Sequence, residues 1–313
     1  HRLATKIPGR WKHRMDLLIH ADDYGLTRLI SSNIDDCIDD GTVNSISVIV
    51  NGHVFEDAVE RLGKNPAVRV SVHLNLAEGP PVASPDELFH LVDDSGKLVH
   101  SFGKLWAKYL FASSRVRLEI RQQITLEFAA QIKRAVDAGI VHPGALRVDS
   151  HGHYHMIPFV FDSLLAAIDP YPDTYVRMPR EPWQWPMPNV SSIRNYIGPN
   201  ILKHVLLNLL SIRASRKIAG RKIVTCDYWM GALYSGNMSV KVLARWLAKV
   251  EATAKPDSVI EATFHPGGSD ETEAGIWVVG GEHHRFYLSD NRKKEAEELK
   301  STAMRALLDR ITT

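Results

Sequence analysis

Cysteine is scarce in this chain, with Cys37 and Cys226 the two examples in 313 residues. Neither sits in a C-x-x-C pair, which excludes a disulfide framework and a zinc finger, and both are expected as buried thiols. Long hydrophobic runs are also missing. No stretch approaches the roughly eighteen apolar residues needed to cross a bilayer, and the N-terminus is basic without the apolar core of a signal peptide. No transmembrane segment is therefore expected, and a cytoplasmic setting is the expectation. Charge of one sign is lacking too: 38 Lys and Arg against 36 Asp and Glu leave a net charge of +2. That balance argues against a nucleic-acid binder, which carries a concentrated basic excess. No G-x-G-x-x-G follows the first strand-like run, so a dinucleotide cofactor finds no support.

What is present is the composition of an ordinary globular protein, 44% hydrophobic and 24% charged, which favours a folded core. Short β-branched runs alternate with stretches of helical period. The runs are DLLIH (16–20), SISVIV (45–50), VRVSVH (68–73), ALRVD (145–149), TYVRM (174–178), KIVTC (222–226) and SVIEATF (258–264). Residues 28–41, 53–63, 117–139 and 240–254 read as amphipathic helices between them. This rhythm predicts an α/β fold, a TIM-barrel-like (β/α) barrel of about seven strands with irregularities. Residues 1–15 are set aside as an N-terminal extension, and residues 16–313 are expected to form one barrel domain.

Two segments, 78–112 and 181–221, are longer than ordinary βα connections and are expected to help shape the site. EPWQWPMP (181–188) carries Trp183 and Trp185, whose indoles serve either for surface packing or as platforms for sugar rings. ILKHVLLNLLSI (201–212), followed by Arg213, Arg216, Lys217, Arg221 and Lys222, suits either a helix lying against lipid or a buried helix with a basic flank. The buried helix is the expected form.

Polar residues recur where strands end. LLIHADD ends in Asp22 and Asp23, VRVSVH in His73, ALRVDSH in Asp149 and His151, YVR in Arg177 and SVIEATFH in His265. A parallel barrel finishes all its strands at one rim, where catalytic groups of such folds gather. Strand parity turns His73, His151 and His265 inward together with Arg69, Arg147 and Glu261. These last three charges are expected to pair inside the barrel, because a buried charge is costly alone. Two imidazoles and one carboxylate leave open positions on a metal, the pattern of a hydrolytic site. His73, His151 and Asp23 are assigned to that metal and Asp22 to the general base, its carboxylate held ionised by Arg177. Each piece has a plainer reading: ADDYG as a turn and helix cap, His73 as a core histidine, FHPGG as a turn. Three histidines within five residues of RVDSHGHYH are harder to explain structurally, and the strand-end pattern as a whole is not expected by chance.

The motifs HADDYGLT, TVNSISVIVNG, VSVHLNLAEGPPV, RVDSHGHYHMIP, VRMPRE, EATFHPGG and RKKEAEEL, in this order, resemble the YdjC-like carbohydrate deacetylase family from residue 16 to about 300. The resemblance implies a barrel-like enzyme that removes N-acetyl groups from amino sugars with one divalent metal ion, Mg2+ or Zn2+. It places Asp23, His73 and His151 on the metal, Asp22 as base and His265 as acid. Asp149, His153 and His155 are expected to orient ligands or touch substrate, with Trp183 and Trp185. Tyr24 departs from the family, where phenylalanine is usual. Competing readings are a phosphoesterase holding two metals through the additional His153, His155 and Asp149, and an inactive sugar-binding protein. The expected partners are an acetylated amino-sugar substrate and, at most, a second copy of the chain as a homodimer.

Overall fold

A computed structural model describes residues 15–64, 67–184, 195–277 and 281–312. Every strand-like run becomes a strand. They are β1 (Asp16–Tyr24), β2 (Ser45–Val48), β3 (Arg69–Leu74), β4 (Arg147–Ser150), β5 (Thr174–Val176), β6 (Ile223–Val224) and, further on, β8 (Val259–Phe264). An eighth, β7 (Tyr228–Met230), lies between the last two. The sequence reading missed β7 because three residues give no alternation to detect. The eight form one sheet in the order β6-β5-β4-β3-β2-β1-β8-β7, and every neighbouring pair is parallel. Among the described residues no ladder joins β6 to β7, so the sheet curls as a barrel with a seam.

Helices cover the outer face. They are α1 (Arg28–Asp39), α2 (Phe55–Leu62), α3 (Phe102–Phe111), α4 (Ser114–Asp137), α5 (Pro158–Ala167), α6 (Pro199–Ile218) and α7 (Val240–Glu251). Four more close the chain: α8 (Glu271–Trp277), α9 (Gly281–Tyr287), α10 (Asp290–Leu299) and α11 (Thr302–Thr312). Local chemistry starts several of them. Thr27, Ser113 and Ser239 cap α1, α4 and α7 with side-chain oxygens, satisfying donors a helix start leaves bare. Proline opens α5 and α6, where its missing N–H costs nothing.

Alternation along the strands divides the molecule into two cores. Ile46, Val48, Val72, Val148 and Ile260 are fully buried in the apolar layer, while His20, Ser47, His73, Asp149 and Glu261 bond to one another or to Arg177 inside the barrel. The period of two is what separates these sets. Both cysteines are buried and unpaired, and burial pushes each thiol up to about 12.

Two expectations are corrected. Arg69, Arg147 and Glu261 do not pair with one another. Arg69 starts β3 at the bottom rim, where its long side chain reaches water and meets Asp16 at 2.6 Å; Arg147 lies over the Tyr175 ring. Arg177 is the partner of Glu261, 2.5 Å away. Also, α6 is buried on one face only. His204, Leu207, Leu210, Ser211 and Ala214 face the protein, whereas Leu202, Val205, Leu209 and Ile212 are exposed. No described helix is long and apolar enough to cross a membrane.

Candidate active site

Arg177 stands at the centre of the barrel, wholly buried. Its guanidinium forms a fork to Asp22 at 2.9 and 3.0 Å, meets Asp149 at 2.8 Å and donates to Glu261. Three carboxylates around one guanidinium leave excess negative charge, which His20 and His73 border. The Oγ–H of Ser47 donates to Asp149, so the 2.7 Å contact from His20 Nε2 to Ser47 is a donation by the imidazole. His20, Asp22 and Asp149 come within ligating distance of one another, but the guanidinium already supplies the positive charge there. Burial alone would raise the Asp22 carboxyl; Arg177, His73 and His20 outweigh it and hold it well below the usual range. The same balance takes Asp149 down to about 2.

Adjacent aspartates on a strand should point to opposite faces. Asp23 escapes that rule by adopting φ 75°, a left-handed conformation that aspartate tolerates better than most residues. The ladder with β2 shifts register between Ala21 and Tyr24, and both carboxylates consequently line one cavity of about 310 Å³ with His73, His151, His153 and His265. Past β4, Gly152 and His153 are also left-handed, each with φ 59°. A Cβ on Gly152 would come within 3.0 Å of the Tyr154 ring.

The hydrogen bonds identify which nitrogens are free. His73 Nδ1 donates to Asp149 at 2.6 Å, which leaves Nε2, 3.6 Å from Asp23 Oδ1, as the nitrogen able to hold a cation; against burial, Asp149, Asp22 and Asp23 raise its affinity for a proton. Tyr287 gives its hydroxyl proton to Glu78, so its 3.1 Å contact with His151 Nε2 is a donation from the ring. The Nδ1 lone pair of His151 then faces the same Asp23 oxygen at 3.0 Å. Two lone pairs aimed at one carboxylate oxygen repel one another unless a cation or a proton lies among them. Donor spacings of 3.0 and 3.6 Å suit neighbouring ligands of a tetrahedral site, about 3.3 Å apart. Asp23, His73 and His151 therefore fit a single divalent ion, and Asp149 is the carboxylate behind a ligating imidazole. A second group, Glu78, His151 and His283, also comes within reach of a shared ion, with Glu78 held by Trp277 and Tyr287.

Other expected residues take distinct places. His265 reaches the cavity with Nε2 3.8 Å from Asp22; burial pushes its imidazole down to about 3 despite the two aspartates. His153 lines the cavity, packed edge-on to Trp229, and burial holds it well below the usual range. His155 lies away from the cavity: it accepts from Ser150 and donates to the main-chain carbonyl of Arg177 at 2.9 Å, fixing the backbone from which that side chain departs. Trp183 lines a separate surface groove with Arg180, Glu181 and His204. Trp185 lies outside the described residues. The extra hydroxyl of Tyr24 donates to Asp35 on α1 at 2.6 Å.

Sequence reasoning missed the C-terminal bracket. Arg292 on α10 binds Asp23 at 2.7 Å and the Gly267 carbonyl at 2.7 Å. One turn on, Glu295 accepts from the backbone N–H of His265 and of Met238. RKKEAEEL contains both residues, but charges on a helix read as a solvated face unless their distant partners are known. His20 was missed for a similar reason, since a histidine within a strand shows nothing of its two serine partners.

The model of the YdjC-like protein family matches residues 16–310. Curated relatives include a carbohydrate deacetylase of Mus musculus, 30% identical over 54% of this chain and 52% of its own length. Another, from Oceanobacillus iheyensis, is 28% identical over 58% and 68%. A chitooligosaccharide deacetylase of Salmonella paratyphi B is 30% identical over 46% of this chain and 52% of its own. The chain spans about half the length of several curated relatives it matches. A crystal structure from Enterococcus faecalis, named for a proposed role in cellobiose-phosphate cleavage, superposes with a TM-score of 0.64 at 19% identity and covers 96% of both chains. At that identity it speaks for the fold alone.

Proposed function

The chain belongs to the YdjC-like family, and on that premise we propose that it removes an N-acetyl group from an amino sugar or an N-acetylated glycoconjugate, releasing acetate in a metal-dependent hydrolysis. The observation that carries the reading is the convergence of two imidazole lone pairs on Asp23, with the carboxylate of Asp22 in the same cavity. Asp23, His73 and His151 would hold a divalent cation such as Mg2+ or Zn2+, which when bound would supply Lewis acidity toward an acetamide carbonyl and a water.

The protein's own groups handle the protons. Asp22, kept ionised by Arg177, accepts a proton from the attacking water. Burial disfavours the charged form of His265 in the free protein; its proton is therefore taken up during the reaction, and Asp22, 3.8 Å away, is placed to pass it on through one water or a small closing shift. Passing that proton to the departing nitrogen lets the C–N bond break with an amine, not an amide anion, as leaving group. His153 and Lys203 line the cavity and are assigned to sugar contacts.

The test is acetate release from a panel of N-acetylated mono-, oligo- and lipid-linked sugars, with and without chelator. Activity should vanish with chelator and return with added cation. Asp22→Asn should lose about 10² to 10⁴-fold in turnover while keeping its cation; unchanged turnover would reject the base. A second reading, a two-cation phosphoesterase, draws on the Glu78, His151 and His283 group, and phosphate release without acetate release would favour it.

A further inference from the structure

A helix that is apolar on both faces is normally covered on both. In α6 the face bearing His204, Leu207, Leu210, Ser211 and Ala214 is covered. Opposite it run Leu202 at 71% exposure, Val205 at 46%, Leu209 at 62% and Ile212 at 40%. These four recur at steps of three and four, which makes them one stripe along the helix. Arg216, four residues after Ile212, continues it, and Arg213 lies beside it; both are exposed. Lys217 is engaged with Asp162, and Arg221 and Lys222 follow, exposed. Residues 182–226 contain no aspartate or glutamate but seven lysines and arginines.

We propose that this face of α6 docks on an anionic bilayer surface, with the aliphatic stripe at the acyl boundary and the basic end among the headgroups. An exposed apolar stripe joined to a cationic flank is the makeup of helices that lie in a membrane interface, and such flanks are drawn to anionic lipid. Charge sign separates this occupant from a second copy of the chain. A parallel two-fold pair of α6 stripes would set Arg213 and Arg216 against themselves, and an antiparallel pair would leave both arginines without a carboxylate from the facing helix, since the segment contains none. The inference does not depend on the catalytic reading, because none of the four stripe residues lines the cavity.

The test is co-sedimentation of the full chain with phosphatidylcholine vesicles, pure or containing phosphatidylglycerol at about one third. Binding to the anionic vesicles should be at least about tenfold tighter than to the neutral ones and should weaken in high salt. Leu202→Ser/Leu209→Ser, both at exposed positions, should lose about tenfold. Arg213→Ala/Arg216→Ala should lose a comparable factor on the anionic vesicles alone, which keeps the test open if the first variant melts. Absence of binding, equal binding by both variants, or a stripe-dependent dimer that ignores vesicles would each overturn the proposal.

Discussion

At the scale of single residues, two neighbouring aspartates do different things because one backbone torsion differs. Asp22 keeps strand geometry and meets Arg177, while Asp23 turns left-handed toward His73, His151 and Arg292. The strand-end pattern made Asp22, Asp23, His73, His151 and His265 legible in the sequence. The torsion was not, since ADDYG is equally good as a plain turn. His155 shows the limit from the other side: the RVDSHGHYH cluster counted it with metal-competent residues, yet it is a buried, neutral imidazole. Burial takes it down to about 4 from 6.5. An unfolded chain binds its proton below pH 6.5 and the native one does not until about 4. The stability it contributes is therefore complete above 6.5 and is lost as pH falls toward 4. Urea denaturation should show native stability dropping across that window by up to about 3 kcal/mol on this account, with a visibly flatter slope in His155→Gln. Parallel slopes would exclude it.

At the scale of elements, the strands and the four amphipathic helices were legible because each has a long hydrophobic period or a β-branched run. β7 was not, and neither was the exposed face of α6, because an apolar sequence does not say which of its faces finds a neighbour. The least legible element was α10. Its Arg292 and Glu295 clamp the ends of β1 and β8 from a helix whose residues are mostly charged, and only the fold reveals those partners. Glu295 is wholly buried, and burial pushes its carboxyl up to about 7 although backbone N–H groups donate to it. Glu295→Ala should cost about 1–3 kcal/mol for each donor left bare, measured by denaturation. It should also slow acetate release by loosening His265, with cation affinity unchanged. A loss of cation with normal stability would contradict the bracket.

At the scale of the whole molecule, a curled parallel sheet brings strand-end residues as distant as Asp22 and His265 to one rim. That gathering followed from the α/β rhythm alone, and so did the division between apolar exterior and polar interior faces. What parity could not give was depth: Arg69 shares an inward register with His73, yet sits where water can reach it, whereas Arg177 and Glu261 are sealed together inside. The central claim is that the rim organises Asp23, His73 and His151 around one cation. The direct measurement is metal content per chain by mass spectrometry after dialysis against limiting Zn2+ or Mg2+, in native protein and in His73→Ala and His151→Ala. The account predicts about one ion in the native chain, lost in both variants and retained in Asp22→Asn. Two ions per chain, or one that survives in either histidine variant, would contradict it.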